Sequence, residues 1–294
     1  MEPVAFETRP ISIRAEDGYT LAGTLYVPER PRLAALVSSG TGFPRSFYRR
    51  FAAAWAARGV LVLTYDYRGI GESAPANLKG STIEYTQWGR LDMPAALQAL
   101  SDAAPGLRLV HMAHSVGGHF LGFMPNHALL DRHAFVAVGS GYWAKHHRAN
   151  IPRELFFWWG LGPFHLATAG YIKGGGLWSG ASLPKGVFTT WRRWCMQPGY
   201  FEEELKGRLR PHHFDDVRAP IRSWIFTDDG IATPRTGADM LGVYPNAPSE
   251  MVVRRPVDYG LDRIGHEGAF RGDREALWSE MWDWLEGDRP AAGA

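Results

Sequence analysis

Ser115 stands where a hydroxyl could be put to chemical use. It follows a short apolar run, Leu107 to Met112, and has small neighbours at Ala113, Gly117 and Gly118, with a helix-compatible segment running on toward Leu129. A serine on a sharp turn between strand and helix has its Oγ exposed, and the neighbours must be small because the two elements nearly touch. Such a hydroxyl is a poor nucleophile until a base takes its proton, and the base needs an acid to fix its tautomer. With the serine on a turn of this kind, an acid and then a histidine are expected further along the chain.

Both are present. The apolar run Ile221 to Phe226 leads into Thr227-Asp-Asp-Gly-Ile-Ala-Thr-Pro234, so Asp228 and Asp229 lie at the carboxyl end of an expected strand, where such sheets bind ligands. Asp229 is favoured, since it falls five residues before Pro234 with a turn directly after it; Asp228 remains the alternative acid. The base is His266, in the Gly-flanked loop Ile264-Gly-His-Glu-Gly268 ahead of the last helical segment. An acyl-transfer site also needs donors for a tetrahedral oxyanion, and backbone N–H groups supply them without reorganisation. Val116, next after the serine, is one candidate. Thr41 or Phe43, in the Gly-rich stretch after Leu33 to Val37, is the other.

Other residues fit structural roles better. His111, His114 and His119 lie within the expected strand and helix around Ser115, where packing or capping explains them. His146-His147 and His212-His213 lack a third ligand at metal-binding spacing. Asp66 and Arg68, in Asp66-Tyr-Arg-Gly-Ile-Gly-Glu-Ser73, suit loops fixed by hydrogen bonds.

The elements that must position these groups follow from the hydropathy pattern. Ile11 to Ala15 and Thr20 to Val27, joined through Asp17-Gly18, read as an antiparallel hairpin. Continuous apolar runs at Leu33 to Val37, Val60 to Tyr65 and Ala134 to Val138 read as buried strands, with a strand at Met251 to Arg254. Helical patterns cover Phe47 to Arg58, Leu91 to Asp102, Arg235 to Leu241 and Ala276 to Leu285, and 287–294 reads as a frayed tail. Apolar strands alternating with helices indicate an α/β protein, its mostly parallel sheet covered on both faces.

From Trp143 to His213 the alternation stops. This quarter of the chain holds six of the 12 Trp, with Gly174-Gly-Gly176 and short helical patches. It reads as an aromatic-rich helical insertion, dividing the chain into a first core part (1–142), the insertion (143–213) and a second core part (214–294). Trp143, Trp158, Trp159 and Trp194 are its candidate substrate contacts. Packing of the insertion on itself accounts for such aromatic stripes equally well.

Composition narrows the class. The net charge of +2 is spread over scattered Arg with only five Lys, which argues against a nucleic-acid groove or a membrane-binding stripe. The single Cys195 excludes an internal disulfide and fits a reducing compartment. Met1 to Arg9 lacks a basic-then-apolar pattern and no run of 18 apolar residues occurs, so a cytoplasmic protein without membrane insertion is expected.

Taken together, the residues resemble the α/β-hydrolase superfamily over nearly the whole chain. More narrowly, the chain is similar to a bacterial family of predicted α/β-hydrolases with largely undefined substrates. The matching stretches are Thr41-Gly-Phe-Pro-Arg-Ser-Phe-Tyr48, Thr64-Tyr-Asp-Tyr-Arg-Gly-Ile-Gly71, Ala113-His-Ser-Val-Gly-Gly118, Gly139-Ser-Gly-Tyr-Trp143, Trp194-Cys-Met-Gln-Pro-Gly-Tyr200 and Ile264-Gly-His266. The resemblance implies a triad of Ser115, Asp229 or Asp228, and His266, with a cap inserted after the sixth strand. Ala113 departs from the usual Gly by one methyl. The expected activity is cofactor-free serine hydrolysis of an ester or related acyl bond in an apolar small molecule. The rivals are an acyltransferase using the same acyl-enzyme, separable by product analysis with a competing acceptor, and a non-catalytic ligand-binding protein on this scaffold. The sequence is compatible with a homodimer.

Overall fold

The computed structural model describes residues 3–272 and 274–287; beyond Gly287, the tail expected at the carboxyl end lies outside the described residues. The hairpin expected around Asp17-Gly18 is β1 (Phe6–Arg14) and β2 (Thr20–Pro28), paired antiparallel with Ile13 opposite Leu21. There follow β3 (Leu33–Ser38), α1 (Arg49–Ala56), β4 (Val60–Tyr65), α2 (Met93–Ala103), β5 (Leu109–His114), α3 (Val116–His119) and β6 (Leu130–Val136). Four helices then come before the next strand: α4 (Ile151–Phe156), α5 (Gly162–Ala169), α6 (Lys185–Cys195) and α7 (Glu202–Leu205). The chain closes with β7 (Ile221–Phe226), α8 (Pro234–Gly242), β8 (Ser249–Arg254) and α9 (Glu275–Glu286).

One eight-stranded sheet runs in the order β1-β2-β4-β3-β5-β6-β7-β8. The β1–β2 and β2–β4 pairs are antiparallel, and from β4 to β8 every pair is parallel. Every residue of β3, β4 and β5 is buried, so these strands read as unbroken apolar runs because both faces are covered. On one face Phe51 and Trp55 of α1 meet Trp278 and Trp282 of α9, with Trp55 stacked on Trp282 at 6.1 Å. On the other, Met93, Leu97 and Leu100 of α2 and Met240 of α8 share a second cluster. Burying each such side chain contributes roughly 1.5–3 kcal/mol, which is what fixes the helices to the sheet.

Two helices differ from expectation. The segment Phe47 to Arg58 begins as a 3-10 turn at Arg45–Tyr48 and becomes α-helical only from Arg49 to Ala56. The helix after Ser115 lasts one turn, gives way to a 3-10 turn at Leu121–Phe123, and does not reach Leu129. At Gly122 a Cβ would come within 2.4 Å of the Phe214 ring, so the chain is packed too closely there for an ordinary helical side chain.

Asp66 and Arg68 tie loops together as expected. Asp66 accepts from the Arg45 N–H at 2.6 Å and the Glu72 N–H at 3.0 Å, while Arg68 bridges Asp92 at 2.7 Å and Asp17 at 2.6 Å. Burial lifts the Asp92 carboxyl to about 7, against the pull of Arg68.

The sheet interior also holds imidazoles. His111 of β5 and His133 of β6 are register partners with their Nδ1 atoms 3.3 Å apart, and His111 Nε2 meets Ser38 Oγ at 2.9 Å. Burial pushes His111 down to about 3 and His133 well below the usual range, so both rings are neutral in the fold. In the unfolded chain they protonate near 6.5, so the unfolded state binds more protons as pH falls below that value. Stability is therefore lost as pH falls below about 6.5, by about 1.4 kcal/mol per pH unit for each ring, down to about 3 for His111. Asp92, protonated earlier in the fold than when unfolded, offsets part of this between about 7 and 4. Urea unfolding at stepped pH should show His133→Leu with a slope shallower by about 1.4 kcal/mol per pH unit. An unchanged slope would mean that His133 does not stay neutral in the fold.

Candidate active site

The carboxyl ends of the parallel strands carry the site. Ser115 directly follows β5 with φ 50° and ψ −116°, a conformation that a non-glycine residue holds only under constraint. Its N–H is fixed by the Val136 carbonyl at 3.1 Å. The small neighbours are sterically required: a Cβ on Gly117 would sit 2.6 Å from the Ser38 carbonyl oxygen, and one on Gly118 would sit 2.7 Å from Val138. Ala113 is fully buried between its register partners Ser38 and Phe135, so the extra methyl is accommodated.

His266 reaches Ser115 from the loop beyond β8. Its Nε2 lies 3.0 Å from Ser115 Oγ and its Nδ1 2.8 Å from Asp229 Oδ2. The carboxylate can only accept, so Nδ1 carries the proton and Nε2 is free to receive the serine hydroxyl's. Asp229 is held in turn by its other oxygen, which accepts from the N–H groups of Ile231 at 2.8 Å and Ala232 at 3.0 Å. Asp228 points elsewhere: its Oδ2 accepts from the N–H groups of Ile264 and Gly265, both at 2.9 Å. It braces the loop that carries His266, and Gly265, at φ 60°, supplies the left-handed turn in that loop. Burial is the largest influence on His266 and disfavours its charge. The charge and hydrogen bond of Asp229, with the charges of Glu267 and Glu154, outweigh it and raise the imidazole above its ordinary 6.5.

His114 links three segments of the site. Gly40 N–H donates to the Tyr48 hydroxyl at 2.8 Å, Tyr48 donates to His114 Nδ1 at 2.7 Å, and His114 Nε2–H donates to the His266 carbonyl at 2.8 Å. Each donor in that series has one choice of acceptor, because the last carbonyl cannot give a proton. Burial pushes His114 down to about 3, consistent with a neutral ring.

The oxyanion candidates separate. The N–H of Phe43 is taken by the Gly40 carbonyl at 3.2 Å, which closes a tight turn and removes it as a donor. Among the described residues no hydrogen bond takes the N–H of Thr41 or of Val116, and both residues line the same cavity as Ser115.

That cavity has a volume of about 650 Å³ and extends from Ser115 and His266 to the helices between β6 and β7. Its aromatic wall is Phe157, Trp158, Trp178 and Trp191. Of the four Trp expected to contact substrate, only Trp158 is there. Trp194 is fully buried against Phe120, Tyr200 and Phe201, Trp159 is 62% exposed with Arg192 over its ring, and Trp143 packs on Tyr142; none of the three lines the cavity. Helical period explains part of this. On α6, Trp191 and Cys195 are four residues apart and share the cavity-lining face, whereas Trp194 aligns with buried Thr190. Trp178, in a loop, carried no such signal.

Among the described residues no three His, Cys, Asp or Glu side chains are grouped to hold a metal. His146 is engaged with Glu154 at 2.6 Å, and His213 with Asp216 at 3.1 Å.

This sheet order, with a strained serine after β5, an acid after β7 and a histidine after β8, is that of the α/β-hydrolase fold, and the chain has that fold. Comparisons agree with that class. A family model described as serine aminopeptidase, S33, matches residues 29–164. An esterase from Pyrococcus furiosus superposes with a TM-score of 0.60 at 16% identity, over 96% of this chain and 91% of its own. A soluble variant of monoglyceride lipase from Saccharomyces cerevisiae, in complex with a substrate analog, gives 0.65 at 16% identity, over 97% and 98%. The α/β hydrolase GrgF from a Penicillium species gives 0.59 at 17% identity, over 96% and 99%. No curated protein sequence matches. Among the described residues no helix is long and apolar enough to cross a membrane.

Proposed function

We propose that the protein hydrolyses an ester or related acyl bond of an apolar small molecule through an acyl-enzyme on Ser115. The observation that carries this reading is the hydrogen-bonded series Ser115–His266–Asp229 opening into a cavity with an aromatic wall. Ser115 Oγ attacks the carbonyl carbon as its proton passes to His266 Nε2, and Asp229 stabilises the imidazolium so formed. The oxyanion is held by the N–H groups of Val116 and Thr41. His266 then protonates the departing alcohol, and a water activated by the same imidazole releases the acid. Every step uses the chain's own residues. In this reading 143–213 acts as the cap over a core formed by 1–142 and 214–294, and its aromatic wall selects the apolar part of the substrate. The structural neighbours named as an esterase and a monoglyceride lipase support the reaction class.

The test is a fluorophosphonate probe, expected to label Ser115 and to block release of p-nitrophenol from p-nitrophenyl butyrate. A protein that is not labelled and turns over no ester would be a binding protein on this scaffold. The pH profile is fixed in sign. His266 must be neutral to accept the serine proton, and its pKa is raised, so kcat/KM should fall toward acid through an apparent pKa above 6.5. An acidic limb well below that value would rule out His266 as the base.

A further inference from the structure

Between its aromatic wall and Ser115 the cavity turns polar. His119, at the end of the helical turn after Ser115, lines it together with His146 and Glu154 from the start of the inserted segment. Two consecutive carbonyls beyond β6 orient the two imidazoles. Gly139 accepts from His119 Nε2 at 3.0 Å, and Ser140 accepts from His146 Nε2 at 3.0 Å. A carbonyl has no proton to give, so Nε2 carries the hydrogen in each ring. Burial drives His119 down to about 3, so its ring is neutral and Nδ1 is a bare acceptor. Among the described residues it has no hydrogen-bond partner.

His146 Nδ1 meets Glu154 Oε2 at 2.6 Å. Whichever of the two holds the proton there, the other carboxyl oxygen, Oε1, is an acceptor. It is buried and, among the described residues, also without a partner. All three residues line the same cavity as Ser115 and His266, so this polar end shares its space with the reacting groups. Buried acceptors without donors are costly, and these two, on residues that line one cavity, are matched when a ligand brings the protons.

We propose that Glu154 Oε1 and His119 Nδ1 form a subsite for substrate hydroxyls, each acceptor taking one O–H, and that the substrates are amphiphilic esters carrying hydroxyl groups beside the scissile bond and an apolar part against the aromatic wall. The inference rests on the hydrolase reading and adds the substrate class. A neutral donor suits the subsite better than an ammonium group. The Glu154–His146 pair is neutral overall and His119 is uncharged, so a buried cation would find no net negative charge to offset its desolvation. An ester without the hydroxyl leaves both acceptors dry, which is how a polar subsite rejects the analogue lacking its group.

The test compares matched esters. Glyceryl monobutyrate against methyl butyrate places the hydroxyl on the alcohol side, and p-nitrophenyl β-hydroxybutyrate against p-nitrophenyl butyrate places it on the acyl side. Dimethylaminoethyl butyrate offers an ammonium instead. In one of the two pairs, kcat/KM should favour the hydroxylated ester by about tenfold or more. Glu154→Leu and His119→Phe should each reduce that preference and together abolish it, while Glu154→Gln, which keeps an oxygen acceptor, should retain most of it. Calorimetric binding of the same esters to Ser115→Ala should give the same ranking without turnover. If fluorophosphonate labelling and turnover both fail, the hydrolase reading falls while the binding ranking still decides the subsite. Equal kcat/KM and equal affinity within both pairs, survival of the preference in both Glu154→Leu and His119→Phe, or preference for the ammonium ester would overturn the proposal.

Discussion

Ser115→Ala is expected to lower kcat/KM by on the order of 10⁴-fold or more while leaving the protein folded. In the proposed mechanism, removing Oγ takes away the nucleophile but leaves the oxyanion donors and the cavity, so the residue of activity should be the rate those alone support. The backbone makes a companion variant informative. Ser115 holds φ 50°, a region where a side chain is strained and glycine is not. Ser115→Gly should therefore be as inactive as the alanine variant yet more stable than it, by about 1 kcal/mol. Paired measurements of ester turnover and urea midpoint would show both effects. An alanine variant keeping more than about a tenth of the activity would remove Ser115 from the role of nucleophile, whatever its geometry.

How much of this was legible in the sequence depended on whether the signal was local. The strands Val60 to Tyr65 and Ile221 to Phe226 could be bounded from composition because apolar runs end there in polar loops. The strand before Ser115 lies two residues later than the apolar run Leu107 to Met112 suggests. It runs from Leu109 to His114, and His114 looks like a polar residue beyond the strand although it is buried and neutral. The next strand, expected at Ala134 to Val138, runs from Leu130 to Val136, because Asp131, Arg132 and His133 interrupt the apolar pattern at its start. The order serine, acid, histidine was readable because it needs only residue types and loop positions. The loss of Phe43 as an oxyanion donor was not, because it depends on one hydrogen bond inside a turn. Which Trp side chains face the cavity was equally out of reach. Trp158 and Trp159 are adjacent within the π-helical stretch Phe157–Leu161, one buried and one exposed, and the ordinary helical period does not apply there.

The choice between the two adjacent acids yields the other large effect. Asp229→Asn should cost on the order of 10⁴-fold in kcat/KM, a magnitude borrowed from the equivalent change in a serine protease triad. Here the backbone dictates how the amide must sit. One side-chain oxygen of residue 229 accepts from two N–H groups, those of Ile231 and Ala232, so the asparagine oxygen is retained at that position. Its NH₂ must then occupy the place of Oδ2 and face His266 Nδ1. A donor there forces Nδ1 to become the acceptor, which moves the imidazole proton to Nε2 and leaves nothing to receive the proton of Ser115. Asp228→Asn is different in kind. Its oxygen accepts from Ile264 and Gly265 and an asparagine oxygen can do the same, so the loop keeps its brace and the loss should stay below about tenfold. Asp228→Ala, which removes the brace, should fall between the two and lower the melting temperature as well. Measuring kcat/KM for the three variants with one p-nitrophenyl ester decides the matter: if Asp228→Asn proves more damaging than Asp229→Asn, His266 is oriented by Asp228 during turnover and the assignment of the acid reverses.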